Sequence, residues 1–281
     1  MVGTMRQKRI LITGASTGIG RPCAVRFADL GYTVFAGVRK LSDGDSPRAE
    51  SSGDLRPILL DVTLPESIRG AVAAVGDEPL AGLVNNAGIA IVGPVELVPI
   101  EQWRRQFEVN VLGVVAVTQA FLPLLRATPG RIVNIGSIAG RSALPGSGPY
   151  DASKFAIEAI TDALRMELRS WNIPVSLIEP GSIATPIWRK TLTGVDELSR
   201  QVAPERYALY ARLIAKVRDE AAASADKATA VSEVVKAVEH ALTADRPRTR
   251  YLVGRDTRLW LLLNLLPDRW RDWLILSRLN E

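Results

Sequence analysis

The chain has 281 residues, 47% hydrophobic and 23% charged, which suits one large folded domain or two small ones. Its single cysteine, Cys23, excludes an intrachain disulfide and favours a reducing, cytoplasmic compartment. The net charge of +5 is divided among short basic stretches, and the lack of a clustered patch argues against nucleic-acid binding. No stretch resembling a signal peptide opens the chain, and no uninterrupted apolar run reaches the ~20 residues of a spanning helix.

Short apolar runs alternate with helical patterns along the chain. Strands are predicted at residues 10–13, 33–38, 58–62, 83–85, 131–136, 174–179 and 250–253. Helices are predicted from the first strand to about residue 30, and at 99–126, 149–171 and 231–242. Continuous runs of Val, Ile and Leu are typical of strands that helices cover on both faces. The alternation predicts an α/β protein, a single doubly wound Rossmann-type domain over residues 1–281 with a mostly parallel sheet.

Two segments interrupt this alternation. Residues 41–55 are rich in Ser, Asp and Gly, and they predict an exposed loop. Residues 186–227 are too long for an ordinary connection, have helical spacing at 204–223, and predict a lid that covers the substrate. The apolar side chains of the lid either line a lipophilic pocket or pack among its own helices; they are Trp188, Leu192, Leu198, Val202, Tyr207, Tyr210 and Leu213. A lipophilic pocket would favour a steroid, retinoid or fatty-chain alcohol or ketone.

A glycine-rich turn, T-G-A-S-T-G-I-G at residues 13–20, follows the first predicted strand. Glycines allow positive φ angles and a close approach of the backbone to a ligand. The helix that follows would direct free N–H groups at a pyrophosphate. The spacing differs from G-x-G-x-x-G, and an ordinary strand-to-helix turn explains it as well. The cofactor-binding residues predicted here are Gly14, Ser16, Thr17, Gly18, Ile19 and Gly20.

The end of the second predicted strand bears on the choice of cofactor. NAD sites usually place an acidic side chain here, whereas NADP sites place an arginine near the 2′-phosphate. This chain has no acid here but has Arg39 and Lys40, and a guanidinium pairs well with a phosphate. NADP is therefore favoured and NAD is the second choice, unless both cations are ordinary loop residues.

Four polar residues predict acid–base chemistry on a carbonyl or alcohol. Tyr150 and Lys154 lie four apart on a predicted helix and so share one face, where the ammonium would lower the pKa of the phenol. The same spacing also arises from surface packing. Ser137, at the carboxyl end of a predicted strand, could hydrogen-bond a substrate oxygen or merely shape a turn. Asn110 lies within an apolar helical stretch, where a buried amide needs partners.

Together and in this order, the motifs resemble those of the short-chain dehydrogenase/reductase family, and the resemblance covers nearly the whole chain. The motifs are the T-G-x-x-x-G-x-G turn at 13–20, Asp61-Val62, Asn85-Asn86-Ala87-Gly88, Asn110, Ser137, Tyr150-x-x-x-Lys154 and Pro180-Gly181. The resemblance implies a nicotinamide-dependent oxidoreductase that interconverts an alcohol and a carbonyl compound. It also implies a homodimer or homotetramer, with the helices at 99–126 and 149–171 as the main interface.

The resemblance further implies a role for each site residue. Tyr150 would be the general acid in reduction and the base in oxidation, with Lys154 lowering its pKa and binding the nicotinamide ribose. Ser137 would orient the substrate oxygen, and Asn110 would hold a water in a proton relay towards Lys154. The cofactor would contact Asp61 and Val62 at its adenine, Asn86, Ala87 and Gly88 near the ribose, and Pro180, Gly181, Ile183 and Thr185 at its nicotinamide. The complete catalytic set favours an active enzyme over the alternative, a non-catalytic cofactor-binding scaffold or sensor.

Residues 256–281 form an apolar and basic C-terminal tail. After an apolar run at 259–266, Trp270, Trp273 and Leu274 fall on one helical face, interleaved with Arg269 and Arg271. Packing on the protein itself or on a partner subunit is the favoured interpretation, and peripheral contact with a membrane is the alternative. His240, the only histidine, is assigned no catalytic role, and the sequence predicts no metal site.

Overall fold

The computed structural model describes residues 8–226, 228–255 and 257–280, in which seven strands form one parallel sheet. The strands are β1 Arg9–Thr13, β2 Thr33–Val38, β3 Leu55–Leu59, β4 Gly82–Asn85, β5 Arg131–Ile135, β6 Val175–Pro180 and β7 Arg250–Val253. Their order across the sheet is β3-β2-β1-β4-β5-β6-β7. The chain therefore changes direction between β1 and β4, the point at which doubly wound sheets bind ligands beyond the carboxyl ends of their strands. The predicted Rossmann-type α/β fold is confirmed.

Helices cover both faces of the sheet. They are α1 Gly20–Asp29, α2 Asp45–Glu50, α3 Pro65–Val75, α4 Ile100–Phe107, α5 Gly113–Arg126, α6 Gly148–Glu167, α7 Ile187–Gln201, α8 Pro204–Leu209, α9 Ala211–Asp226, α10 Val231–Thr243, α11 Thr257–Leu263 and α12 Asp268–Asn280. Phe27 of α1 and Val238 of α10 are buried in the core on one face. Ile68 of α3 and Phe121 of α5 are buried in the core on the other. Because neither face meets water, every residue of β2 and β6 is buried.

The predicted loop at 41–55 is wrong in its secondary structure, although most of the segment is exposed as predicted. The segment contains a 3-10 turn at Leu41–Gly44 and then α2, and the third strand begins at Leu55 and ends at Leu59 rather than covering 58–62. Gly44 is buried, and a Cβ atom on it would lie 2.4 Å from Cβ of Pro57. The polar residues of this segment were interpreted as a loop. Asp45, however, stands in the first turn of α2, where a negative charge favours helix formation.

The predicted long helix at 99–126 is continuous but contains an irregular turn. A π-helical turn at Glu108–Leu112 separates α4 from α5 and carries the buried Asn110. Such single π-helical turns are frequent at functional sites. The stretch Ile100–Arg126 is long enough to cross a membrane, and its most apolar 18-residue window has a mean hydropathy of 1.6. Its residues Val117, Phe121 and Leu125 are fully buried in the core, however, as expected of a core helix.

Helices α7 to α9 occupy the segment predicted as a lid. Both ends of the segment meet near the carboxyl end of β6, where Ile183 forms a parallel bridge with Thr229. The amide of Thr229 donates to the Ser182 oxygen over 2.8 Å, and the amide of Ala184 donates to the Thr229 oxygen over 3.0 Å. The three helices thus leave the sheet and return to it at one place.

Candidate active site

A cleft of about 1560 Å³ lies at the carboxyl ends of the strands and contains most of the predicted site residues. The predicted residues that line it are Gly14, Ser16, Thr17, Gly18, Ile19, Arg39, Asp61, Val62, Asn86, Ala87, Gly88, Ser137, Tyr150, Lys154, Pro180, Gly181, Ile183 and Thr185. Gly20, Lys40 and Asn110 do not line it. The topology therefore brings together groups as far apart in the sequence as Gly14 and Thr185, a separation of 171 positions.

The glycine-rich turn at 13–20 can be formed only with glycine at its critical positions. Gly14 and Gly18 have φ angles of +65° and +61°. A Cβ atom on Gly14 would lie 2.8 Å from Cα of Ala87, and one on Gly20 would lie 2.4 Å from the oxygen of Gly14. Gly20 therefore closes the turn on itself rather than facing the cleft. The turn that results leaves room for a dinucleotide phosphate beside the start of α1, so these residues fit a nicotinamide cofactor.

Thr13 and Asn86 hold this turn against the loop that follows β4. The Thr13 hydroxyl oxygen accepts hydrogen bonds from the amides of Asn86 (2.9 Å) and Ala87 (3.0 Å). The Asn86 side-chain amide donates to the main-chain oxygens of Thr13 (2.9 Å) and Gly14 (3.0 Å). Sequence reasoning did not identify Thr13 as a site residue, because its partners come from β4, which is a neighbour of β1 only in the folded sheet.

Arg39 and Asp61 border the cleft at the ends of β2 and β3. Arg39 is exposed, and no carboxylate of the described residues pairs with its guanidinium, which is therefore available to an anionic ligand. The Asp61 carboxylate accepts from the amide (3.0 Å) and the hydroxyl (2.7 Å) of Thr63. This carboxylate is consequently engaged in holding the turn after β3.

Ser137, Tyr150 and Lys154 meet where β5 and β6 end beside α6. The Ser137 hydroxyl donates to the Pro180 oxygen over 3.4 Å and hydrogen-bonds the Tyr150 phenol. The Lys154 ammonium donates to the Ile135 oxygen over 2.9 Å and lies 5.7 Å from the centroid of the Tyr150 ring. The structure thus brings together the three side chains that the sequence predicts to be catalytic.

Burial controls the ionisation of this group. Burial raises the pKa of Tyr150 to about 12, the Ser137 hydrogen bond acts against this shift, and the negative charge of Asp151 adds to it. Burial lowers the pKa of Lys154 to about 8. The pKa of Tyr150 is therefore raised by desolvation of the phenol rather than lowered, as the sequence had predicted from Lys154. A tyrosine in this state keeps its proton at neutral pH and can donate it.

Asn110 and Gln106 form a pair of buried amides that connects the 89–91 loop to α6. The Asn110 side chain accepts from the Ile89 amide (2.9 Å) and donates to the Ile89 oxygen (3.0 Å) and the Ser153 hydroxyl (3.1 Å). Gln106 repeats the arrangement with the Ile91 amide (2.7 Å), the Ile89 oxygen (3.0 Å) and Ser153 (3.2 Å). The Asn110 side chain thus contacts protein groups and does not contact Lys154. Gln106 was missed, although it lies one helical turn before Asn110.

Similarity to known proteins agrees with this geometry. A family model described as short chain dehydrogenase matches residues 8–196. Dehydrogenase/reductase SDR family member 9 of Bos taurus is 34% identical over 290 residues, covering 100% of this chain and 91% of the relative. Retinol dehydrogenase 5 of Mus musculus is 36% identical over 279 residues, covering 92% and 85%. The chain belongs to the short-chain dehydrogenase/reductase family.

Solved structures of the family support its cofactor class. A short chain dehydrogenase from Burkholderia cenocepacia J2315 in complex with NADP has a TM-score of 0.71 and 27% identity, covering 97% of both chains. A short chain dehydrogenase/reductase from Burkholderia phymatum in complex with NAD has a TM-score of 0.77 and 25% identity, covering 92% of both. This short-chain dehydrogenase/reductase is an oxidoreductase of the nicotinamide-dependent class.

In this short-chain dehydrogenase/reductase, Asp151 supports one wall of the cleft. Its buried carboxylate accepts hydrogen bonds from the Leu144 amide (2.8 Å) and the Ser147 hydroxyl. Burial raises the pKa of Asp151 to about 6. Leu144 and Ser147 both line the cleft, so Asp151 holds a cleft-lining turn next to Tyr150. Sequence reasoning missed this residue because nothing in the spacing shows that the turn folds back on α6.

Helices α7 to α9, in the segment predicted as a lid, contribute a mixed rather than an apolar wall. The side chains from this segment that line the cleft include Ile187, Thr191, Thr193, Glu197, Leu198, Gln201 and Val217. Of the predicted apolar lining residues, Leu198 lines the cleft, whereas Val202, Tyr207 and Tyr210 pack on a small core with Leu97 and Ile214. Leu213 is half-buried and does not line the cleft, and the side chains of Trp188 and Leu192 lie outside the described residues. Three of the side chains that were predicted to line a pocket therefore pack beside helices α7 to α9 instead of lining the cleft.

The C-terminal tail packs partly on the cleft. Trp260 and Ile275 line it, and the Asn264 side-chain amide donates to the Arg141 oxygen over 2.6 Å. The outer side of the same helices is apolar and exposed, with Trp270 and Trp273 at 68% and 67% exposure. The tail is therefore a cover for the cleft on one side and an exposed apolar surface on the other.

Proposed function

We propose that this protein is an NADP-preferring dehydrogenase/reductase that interconverts a secondary alcohol and a ketone or aldehyde, with Tyr150 as general acid and base. The convergence of the Tyr150 phenol, the Ser137 hydroxyl and the Lys154 ammonium on one cleft carries the proposal. Each group matches a requirement of the reaction: a proton donor, a hydrogen bond to the substrate oxygen, and a positive charge near the phenolate that forms.

The nicotinamide cofactor, when bound, supplies or accepts the hydride. In reduction, Tyr150 donates its proton to the carbonyl oxygen, and Ser137 hydrogen-bonds and orients that oxygen. The raised pKa of Tyr150 favours this donor role at neutral pH. Lys154, with a pKa of about 8, is mostly charged at pH 7 and stabilises the phenolate that remains. In oxidation the same groups act in reverse.

The preference for NADP rests on Arg39. Its guanidinium lies at the edge of the cleft directly after β2, where a 2′-phosphate is bound in NADP sites, and the sequence offers no acid here for a 2′-hydroxyl. Lys40, exposed and away from the cleft, contributes only long-range charge.

A lipophilic substrate is supported by the size of the cleft and part of its lining. The apolar lining side chains include Ile187, Leu198, Val217, Trp260 and Ile275, and the volume of about 1560 Å³ holds more than a cofactor alone. The relative retinol dehydrogenase 5 is named for a substrate of this kind. We also propose that residues 186–227 form a lid that covers the substrate.

Two proposals concern assembly and location. The exposed apolar side chains Leu112, Phe155 and Met166 on the helical stretch 100–126 and on α6 support a homodimer or homotetramer formed through these helices. The exposed Trp270 and Trp273, close to Arg269 and Arg271, support peripheral membrane contact of a cytoplasmic protein through α12.

Substitution of Tyr150 by Phe tests the proposed reaction. With NADPH and a panel of lipophilic ketones, turnover should fall by about 10²- to 10⁴-fold, the usual contribution of general acid catalysis. NADPH binding, followed by cofactor fluorescence, should persist in the variant. Full turnover in Tyr150→Phe would overturn the mechanism, and cofactor binding without turnover in the wild type would favour the non-catalytic scaffold or sensor.

A further inference from the structure

Two buried glutamates, Glu158 and Glu179, face each other next to the Ser137, Tyr150 and Lys154 site. Glu158 lies one helical turn beyond Lys154 on α6, and Glu179 precedes Pro180 at the end of β6. Glu179 is fully buried and Glu158 is 9% exposed. An oxygen of each carboxyl group lies within 3.3 Å of the same nitrogen, Arg141 Nε, so the two groups are close together. Within the part of the chain that the structure describes, Glu158 Oε1 and Glu179 Oε2 have no hydrogen-bond partner.

Two arginines engage the other oxygens of this pair. Arg250 donates to Glu158 Oε2 through Nη2 (2.9 Å) and Nε (3.3 Å), and also to Asp162 through Nη2 (2.9 Å). Arg141 donates from Nε to Glu179 Oε1 over 2.8 Å, and the same nitrogen lies 3.3 Å from Glu158 Oε2. The guanidinium groups therefore leave Glu158 Oε1 and Glu179 Oε2 without a hydrogen bond, although Arg250 Nε lies 4.0 Å from Glu179 Oε2.

A single proton on this pair would remove one of two neighbouring negative charges and supply a donor where the structure has oxygens without a hydrogen bond. Two carboxylates in contact away from water repel each other, whereas a protonated one donates a hydrogen bond to its neighbour. Burial raises the pKa of Glu158 to about 7, the charge of Glu179 adds to the shift, and Arg250 and Arg141 oppose it. The other charged groups nearby, Lys154 and Asp162, lie on the same helix as Glu158.

This pair joins the elements that carry the site. Arg141 follows the 3-10 turn Ile138–Gly140, which begins next to Ser137. Glu179 precedes Pro180, whose oxygen accepts the Ser137 hydrogen bond. The turn packs directly on α6, since a Cβ atom on Gly140 would lie 2.8 Å from the Lys154 oxygen. The bonds of Arg141 to the pair therefore hold the Ser137 turn between α6 and β6.

We propose that Glu158 and Glu179 share one proton and that this acid pair positions the Ser137 turn for the reaction proposed above, on which this inference rests. Loss of the proton at higher pH places two like charges across the boundary between α6 and β6, which moves the turn and lowers turnover. Neither glutamate lines the cleft, so both are positioning residues that act through Arg141 and Ser137.

The pH dependence of turnover in Glu158→Gln tests the proposal. A glutamine donates to Glu179 and accepts from Arg250 at every pH, so turnover at pH 6 should stay within about two-fold of the wild type. Between pH 6 and pH 8 the protonated fraction of a group with a pKa of about 7 falls about ten-fold, and wild-type turnover should fall with it. Glu158→Gln should lose this ten-fold decline and keep only the roughly two-fold loss expected from deprotonation of Lys154 by pH 8. The matched control Asp162→Asn removes a carboxylate that binds Arg250 on the same helix, and it should keep the wild-type profile.

A second measurement does not depend on turnover. Infrared spectroscopy of the protein without cofactor should show two protonated carboxylic acids, that of Asp151, which titrates near pH 6, and that of the pair, which titrates near pH 7. The wild type and Asp162→Asn should show both, and Glu158→Gln should keep only the first. Identical pH profiles in wild type and Glu158→Gln, or an infrared titration that the substitution leaves unchanged, would overturn the acid pair. A wild type without turnover on any carbonyl compound would contradict the proposed function, while the infrared titration would still decide whether the proton is shared. If Glu158→Gln fails to fold, Glu179→Gln gives the same two measurements from the other side of the pair.

Discussion

Lys154 donates a hydrogen bond of 2.9 Å to the main-chain oxygen of Ile135, which attaches α6 to the last residue of β5. This bond accounts for the position of a buried ammonium, and burial lowers its pKa to about 8 from an ordinary value of 10.5. Desolvation of a charged group lowers the free energy of unfolding, so the position of Lys154 in the site reduces the stability of the folded protein.

Lys154→Met should therefore change how stability depends on pH. Between pH 8 and 10.5 the unfolded wild-type chain binds more protons at Lys154 than the folded chain, so this residue makes the free energy of unfolding rise with pH. The variant lacks that contribution, and wild type should gain stability relative to it over this range. Denaturant unfolding at pH 7, 8, 9 and 10 measures the difference. The exposed Lys236→Met is the control, and parallel curves for wild type and Lys154→Met would contradict the prediction.

Arg39→Ala should weaken NADPH binding by about 10- to 100-fold, since a charged hydrogen bond contributes roughly 1.5–3 kcal/mol. NADH binding should change less than about two-fold, because NADH carries no 2′-phosphate for the guanidinium to bind. Titration of cofactor fluorescence with both nucleotides gives the ratio. Lys40→Ala removes a neighbouring exposed cation that does not line the cleft, and its effect on NADPH should be small. An equal loss for NADPH and NADH in Arg39→Ala would count against the phosphate contact.

Gly14→Ala should reduce both stability and cofactor binding. The residue has a φ angle of +65°, and the added Cβ would lie 2.8 Å from backbone of Ala87. A left-handed conformation costs a residue other than glycine about 1–2 kcal/mol, and displacement of the Ala87 loop would add to it. The control is Gly70→Ala in α3, where a Cβ meets open space and the helix should gain about 0.5–1 kcal/mol. Thermal unfolding should give a lower melting temperature for Gly14→Ala and a higher one for Gly70→Ala. Titration with NADPH should show weaker binding in Gly14→Ala.

The double variant Trp270→Ala, Trp273→Ala should reduce flotation with anionic lipid vesicles while leaving turnover of a small soluble ketone unchanged. Both side chains are two-thirds exposed, so their removal does not disturb the core. Binding should weaken as salt is raised, because the neighbouring arginines act through screened charge. Leu209→Ala removes another exposed apolar side chain outside the tail and should float like the wild type. Wild-type protein that stays entirely in the soluble fraction would dispose of the membrane proposal.

The sequence predicted the fold well wherever burial on both faces left a continuous apolar run. The second and seventh strands were placed at residues 33–38 and 250–253, where β2 and β7 lie. The glycines at 13–20 also allowed the turn there to be predicted. Their positive φ angles and close contacts exclude a side chain, so only glycine can stand at these positions. A short strand after a polar segment was misplaced, since only Leu55 and Ile58 of β3 are buried and the strand carries Pro57.

The sequence by itself determined the doubly wound sheet, because apolar periodicity encodes it, and its motifs in their order indicated the family and, through that resemblance, the three side chains that converge at the ends of β5 and β6 beside α6. Only the tertiary structure decided that Tyr150 is desolvated enough to hold its proton, that Asp151 supports a wall of the cleft, and that the tail covers it. It also decided that Glu158 and Glu179, 21 positions apart, both pair with Arg141. Ionisation and packing depend on which groups become neighbours and how much water they lose, and both are settled when strands and helices from distant parts of the chain come together.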